Sequence, residues 1–176
     1  MTNKPAPGER FPVLEMPKLG GGTLRLGEAS DGYDWQMIVV YRGKHCPVCT
    51  GYLRELNETV SPLKELGIEV LAVSADSEER AKQQLDDLRP EFGVGYGLTV
   101  EQMQSLNLYI SSPRHGMDVE GPFAEPALFV VNEAGELRMV DIANVPFLRP
   151  QLGSLVGGLR FMRGMTADFP ANGTYA

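Results

Sequence analysis

Apolar and polar positions alternate between two periods along this chain, and the changes of period mark out its elements. Gln36 to Arg42 is a compact, nearly continuous apolar run of strand length, the pattern of a strand buried on both faces of a parallel sheet. From about Cys46 to Leu63 the spacing becomes helical: Val48, Tyr52, Leu56 and Val60 recur on one stripe, Pro47 stands in the first turn where a missing N–H costs nothing, and Pro62 is expected to end or kink the helix. Ile68 to Ser74 is a second, β-branched strand entered through Gly67, and Ser77 caps a polar helix running through Ala81 and Leu85 to Leu88. A βαβα series needs crossover connections and hence a parallel core, with reactive groups expected at the carboxyl ends of the strands.

The flanks add further elements. Phe11 to Leu26, broken by Pro12, Pro17 and Gly20-Gly21-Gly22, predicts a short hairpin laid over the core. A weak strand near Gly95 to Leu98, a short helix around Val100 to Leu106 and a long loop from Ser111 to Glu125 follow, and loops of that length are usually functional or mobile. Ala127 to Val131, the turn Asn132-Glu133-Ala134-Gly135, and Glu136 to Ile142 read as a second hairpin. The last helix, roughly Arg149 to Phe161, places Leu152, Leu155, Val156 and Leu159 on one face. The expectation is an α/β chain forming one domain over residues 1–176, with loop-like tails at 1–10 and 164–176.

Composition narrows the function classes. With 43% apolar and 22% charged residues the 176-residue chain is ordinary for a globular protein. A formal net charge of −7 disfavours nonspecific binding to nucleic acid or acidic membranes, and no segment approaches the roughly 18 apolar residues of a membrane helix. No apolar leader stands at the N-terminus, so a cytoplasmic location is expected.

Both cysteines lie in Cys46-Pro47-Val48-Cys49, at the junction of the first strand and its helix. Thiols spaced i, i+3 at a helix start can close a one-turn disulfide, and unpaired N–H groups there stabilise a thiolate. Arg42, Lys44 and His45 add positive charge just before the helix, and a neutral His45 imidazole could instead carry a proton during exchange. A structural zinc site needs four ligands, and beyond the two thiols only His45 and His115 are available, so neither a metal nor another cofactor is expected. Arg114 and His115, in the long loop, could fold over the thiols, while Trp35 and Tyr41 suit core packing.

A strand, a CxxC at a helix start, a βα unit, then Pro126 ahead of an apolar hairpin and a closing helix resembles the thioredoxin fold, a central mixed sheet flanked by helices, here with an N-terminal β-hairpin extension. The phrases Tyr41-Arg42-Gly43-Lys44-His45-Cys46-Pro47-Val48-Cys49, Glu125-Pro126-Ala127-Leu128-Phe129-Val130-Val131, Val145-Pro146-Phe147-Leu148-Arg149-Pro150 and Phe169-Pro170 resemble peroxiredoxin-like proteins of the alkyl hydroperoxide reductase/thiol-specific antioxidant superfamily. That resemblance implies an antioxidant thiol enzyme acting on a disulfide or a hydroperoxide, reset by a thiol reductant, and it allows a homodimer.

Two branches of the resemblance imply different nucleophiles. The thioredoxin template makes Cys46 the attacking sulfur and Cys49 the resolver. The peroxiredoxin motif Pro-x-x-x-Thr-x-x-Cys lands on Cys49 with Cys46 resolving, but puts Arg42 at its proline, Cys46 at its threonine, and Pro126 where an arginine would polarise the peroxide. Pro126 matches the thioredoxin-fold cis-proline beside the dithiol, Glu125 would set a carboxylate near the thiols and oppose ionisation, and Val40 replaces the usual buried acid. A third reading is a redox sensor whose dithiol switches an interface without turnover.

Overall fold

A computed structural model describes residues 5–165 and 169–175; Met1 to Lys4, residues 166–168 and Ala176, parts of the two expected tails, lie outside the described residues. The core is a five-stranded mixed sheet in which β3 (Trp35–Val40) is central. On one side β3 pairs in parallel with β4 (Ile68–Val73), which pairs in parallel with β5 (Gly93–Gly95). On the other it pairs antiparallel with β8 (Ala127–Val131), itself hairpinned to β9 (Leu137–Ile142). Every residue of β3 and β8 is buried, as the continuous apolar pattern predicts for strands covered on both faces.

Helices α1 (Pro47–Glu65) and α4 (Leu152–Gly164) cover one face, and the hairpin of β1 (Leu14–Pro17) with β2 (Thr23–Leu26) helps cover the other. The buried stripe of α1 is Cys49, Leu53, Leu56, Val60 and Leu63, one step round from the expected one: Val48 is 47% exposed, because turning Cys49 to the sheet turns Val48 to solvent. Pro62 does not end α1. The ring removes a single backbone bond near the C-terminal turn, and fully buried Leu63 holds that turn onto the sheet.

Three other boundaries differ from expectation. β5 closes at Gly95, since Gly97 at φ +71° bends the chain so that the Leu98 N–H donates to Ser74 O. The last helix starts at Leu152 rather than Arg149, because Gln151 is still extended after Pro150. The long loop is anchored at both ends by a ladder between β6 (Ile110–Ser111) and β7 (Phe123–Ala124), and in its middle by Arg80 of α2 (Glu78–Leu85), which pairs with Asp118 at 3.0 Å. Ser77 stands at the start of α2, but its hydroxyl donates to Glu120 rather than capping the helix. Helix α3 (Val100–Ser105) lies where the pattern places it.

Phe129, wholly buried in β8, packs its ring 5.1 Å from that of Phe11. Phe129→Ala should destabilise the fold by about 3–5 kcal/mol, read as a lowered urea midpoint with unchanged slope; a loss below about 1 kcal/mol would contradict this packing.

Candidate functional site

The dithiol stands where β3 ends and α1 begins. Cys46 is the N-cap residue: its backbone is extended, at φ −111° and ψ 97°, and its Sγ accepts the Cys49 backbone N–H at 3.3 Å. This is the position in which serine or aspartate oxygens usually cap helices, so a sulfur anion there meets both an N–H and the positive end of the helix. The loop leading to it is held by the connection after β4, where Asp76 accepts the Lys44 N–H at 2.7 Å and lies against Gly43. A Cβ at Gly43 would come within 2.6 Å of Asp76 Oδ2, and φ there is +121°, so glycine is needed on both counts.

The two sulfurs differ sharply. A hydrogen bond from the Cys49 thiol, the Cys49 backbone N–H and the Arg42 guanidinium together pull the Cys46 thiol down to about 6, overcoming burial. Donating that hydrogen bond, and burial, push the Cys49 thiol up. Arg149 Nη2, 2.8 Å from Cys49 Sγ, pulls the other way but does not outweigh the hydrogen bond to Cys46 and burial, to which the charge of a neighbouring thiolate adds. The pair is therefore asymmetric, with Cys46 the more acidic sulfur and Cys49 the less acidic one.

Neither sulfur is open to water. Cys46 is 2% and Cys49 0% exposed, and both free thiols belong to the apolar core cluster. A guanidinium lies against each: Arg42 Nη1 is 3.9 Å from Cys46 Sγ and stacks 5.0 Å over Phe123, while Arg149 stacks 4.9 Å over Tyr52. Arg42 borders a cleft of about 200 Å³ formed with His45, Asp76 and residues 119–123, and Arg149 borders one of about 300 Å³ with Val48, Tyr52 and Phe147.

Several expected neighbours take other places. His45 packs edge-on against Phe123 at 4.5 Å, and burial, with Arg42 and Arg80, lowers its pKa, so it is neutral and adds no positive charge. Lys44 Nζ donates to Gln83 and does not reach the thiols. Arg114 and His115 are exposed in their loop, and neither approaches a sulfur; the arginine on Cys49 is Arg149. Sequence reasoning misses Arg149 as a site group, although it stands in the Val145 to Pro150 phrase, between a leucine and a proline that hold its backbone outside the helix. The described residues contain no cis peptide bond, so Pro126 is trans: it precedes β8, a position that accepts a trans proline, and its carbonyl accepts the Ala143 N–H. Glu125 faces Arg42 rather than the thiols, with Oε2 3.2 Å from Nε.

Residues 7–140 match the model of the AhpC/TSA family. The chain belongs to that family. Alkyl hydroperoxide reductase C of Bacillus subtilis (strain 168) is 28% identical over 108 residues, which is 61% of this chain and 56% of that relative; the AhpC/TSA chain described here thus spans little more than half the length of the curated relative. A cysteine-to-serine mutant of peroxiredoxin 6 from Arenicola marina superposes with a TM-score of 0.75 at 17% identity, over 95% of this chain and 79% of that one. A peroxiredoxin-like protein from Aquifex aeolicus gives 0.72 at 18% identity, over 88% and 86% of the two chains. Such likenesses show the fold, a thioredoxin-like mixed sheet with an N-terminal hairpin.

The pH dependence follows from the sulfur environment. Alkylation of Cys46 should be slow below its pKa, where the thiol is protonated, and reach half its limiting rate near pH 6. Iodoacetamide kinetics with the label located by mass spectrometry check this, and a midpoint at the ordinary thiol value of about 8.5 would exclude the helix-cap thiolate.

Proposed function

We propose that this AhpC/TSA protein is a dithiol oxidoreductase with an antioxidant role, in which the Cys46 thiolate attacks and Cys49 resolves. The observation that carries the reading is Cys46 Sγ at the helix cap, where the Cys49 thiol and the Cys49 N–H both turn to it and favour ionisation of Cys46 over Cys49. Attack on a substrate disulfide forms a bond from Cys46 sulfur to one substrate sulfur and releases the other as thiolate. Cys49 then gives up its proton, bonds to Cys46 sulfur and expels the remaining substrate thiolate, leaving a Cys46–Cys49 disulfide. A thiol reductant returns the two electrons. Because Cys46 is a low-pKa leaving group, this disulfide should be easily reduced, which suits a cytoplasmic protein that cycles rather than one stapled shut.

A second reading, thiol peroxidase chemistry, has its own support. Arg149 Nη2 at 2.8 Å from Cys49 Sγ is the kind of donor that holds a reacting thiolate, and the curated relative is named for alkyl hydroperoxides. In this version a hydroperoxide oxidises Cys49 to sulfenic acid with release of the alcohol or water, and Cys46 condenses with it, losing water, to give the same disulfide. A homodimer is compatible with either route.

Single substitutions separate the two. Cys46→Ser should lower disulfide-reductase activity by at least about 100-fold, and Cys49→Ser should accumulate a mixed disulfide on Cys46. Rapid sulfenic acid formation with limiting hydrogen peroxide in Cys46→Ser, and not in Cys49→Ser, would instead establish the peroxidase route. If neither substitution alters either reaction, the protein is not a dithiol enzyme.

A further inference from the structure

The carboxylate nearest the site is fixed more tightly than an incidental loop acid requires. Glu125 is 5% exposed, its backbone N–H donates to Tyr109 O at 2.8 Å, and its Oε1 accepts the Ser111 hydroxyl at 2.6 Å. The remaining oxygen, Oε2, faces Arg42 Nε at 3.2 Å, in an ion pair whose side chains are 18% and 6% exposed. The register explains the meeting: Val40 lies opposite Ala127 in the β3–β8 ladder, so two residues further on Arg42 comes opposite Glu125. Phe123, two residues before Glu125, supplies the ring under the same guanidinium at 5.0 Å. The β6–β7 ladder thus presents a carboxylate, a ring and a supporting hydroxyl to one arginine, and the far end of that arginine reaches Cys46 Sγ.

We propose that Glu125 is a positioning residue that acts through Arg42, keeping the guanidinium folded down on the Cys46 sulfur instead of extended into the neighbouring cleft. The inference deepens the reading of Cys46 as the attacking thiolate and rests on it for its catalytic meaning. A carboxylate can influence a nearby thiol in two opposite ways. Acting by its own charge it disfavours a second anion, so its removal would make Cys46 more acidic. Acting through Arg42 it holds a cation in place, so its removal makes Cys46 less acidic. The geometry favours the second, because both carboxylate oxygens are engaged by groups other than sulfur and Arg42 stands between them and Cys46. Ser111 belongs to the same device, since it restricts the carboxylate to the rotamer that meets Nε.

The sign of the change is the test. Cys46 alkylation by iodoacetamide is followed against pH in the full-length reduced protein, with the label assigned to Cys46 or Cys49 by fragment mass spectrometry. Glu125→Gln is expected to move the Cys46 midpoint up by about half a pH unit, cutting the rate at pH 6 about twofold. Arg42→Met should do the same or more, and adding Glu125→Gln to it should produce no further rise. Ser111→Ala, which leaves every charge in place, should shift the midpoint in the same direction by less, and it carries the test should the Glu125 variant not fold. A midpoint that falls or stays still in Glu125→Gln with Arg42 intact, or an undiminished rise when Arg42 is already absent, overturns the proposal. These readouts concern the acidity of Cys46 alone. If the serine substitutions show Cys49 to be the attacking sulfur, the functional reading fails while the positioning of Arg42 stands or falls by its own data.

Discussion

The hydrogen bond from the Cys49 backbone to the Cys46 sulfur sets the terms for everything around it. A residue that caps a helix must leave the helical conformation while its side chain turns back over the first turn, and this places the Cys46 and Cys49 sulfurs together at one end of α1. Once the capping atom is sulfur, the free N–H groups that any helix start must satisfy become the stabilisation of an anion. The partner thiol, deeper and hydrogen-bonded to that anion, has to keep its proton. The difference in acidity between the two sulfurs therefore arises chiefly within the motif, from the Cys49 side chain, burial and the Cys49 backbone. The loop ahead of the cap is held by Asp76, in the connection that follows the neighbouring strand, and Asp76 occupies the space a side chain at position 43 would need.

The second layer is made of positive charge brought in from the sheet and from the C-terminal region. Both guanidiniums lie over aromatic rings, an arrangement that lets arginine stay close to apolar core without a full water shell. Their placement reconciles two properties that otherwise conflict. The dithiol is packed as deeply as the aliphatic core, yet neither sulfur is enclosed by hydrocarbon alone.

Much of this architecture is visible in the residues. The continuous apolar runs of β3, β4 and β8 could hardly serve other than as buried strands, and a Pro after a Cys at the end of such a run marks a helix start on local grounds alone. The displaced details depend on what one sequence position cannot announce. Whether α1 turns Val48 or Cys49 inward is decided by a single step of rotation, settled by the cap. Pro62 is a helix breaker in isolation, but one lost bond near a helix end is small beside a buried leucine. Pro126 is expected to be cis by analogy of fold, whereas the bond preceding β8 is trans. His45 directly precedes Cys46 but turns to Phe123, because a desolvated imidazole fits an aromatic edge better than a second cation fits beside Arg42. The Glu125–Arg42 pair follows from strand register and Arg149 from tertiary docking, and neither has a signature at the spacing of a motif.

Arg42 is four residues from the sulfur it touches, but Arg149 is 100 residues from Cys49. The first contact lies within one short stretch at the start of α1, whereas the second joins α1 to the segment ahead of α4 and closes only when that segment has docked. The cation that favours ionisation of Cys49 is thus a property of the completed fold, and a chain lacking its C-terminal part would leave that sulfur without it.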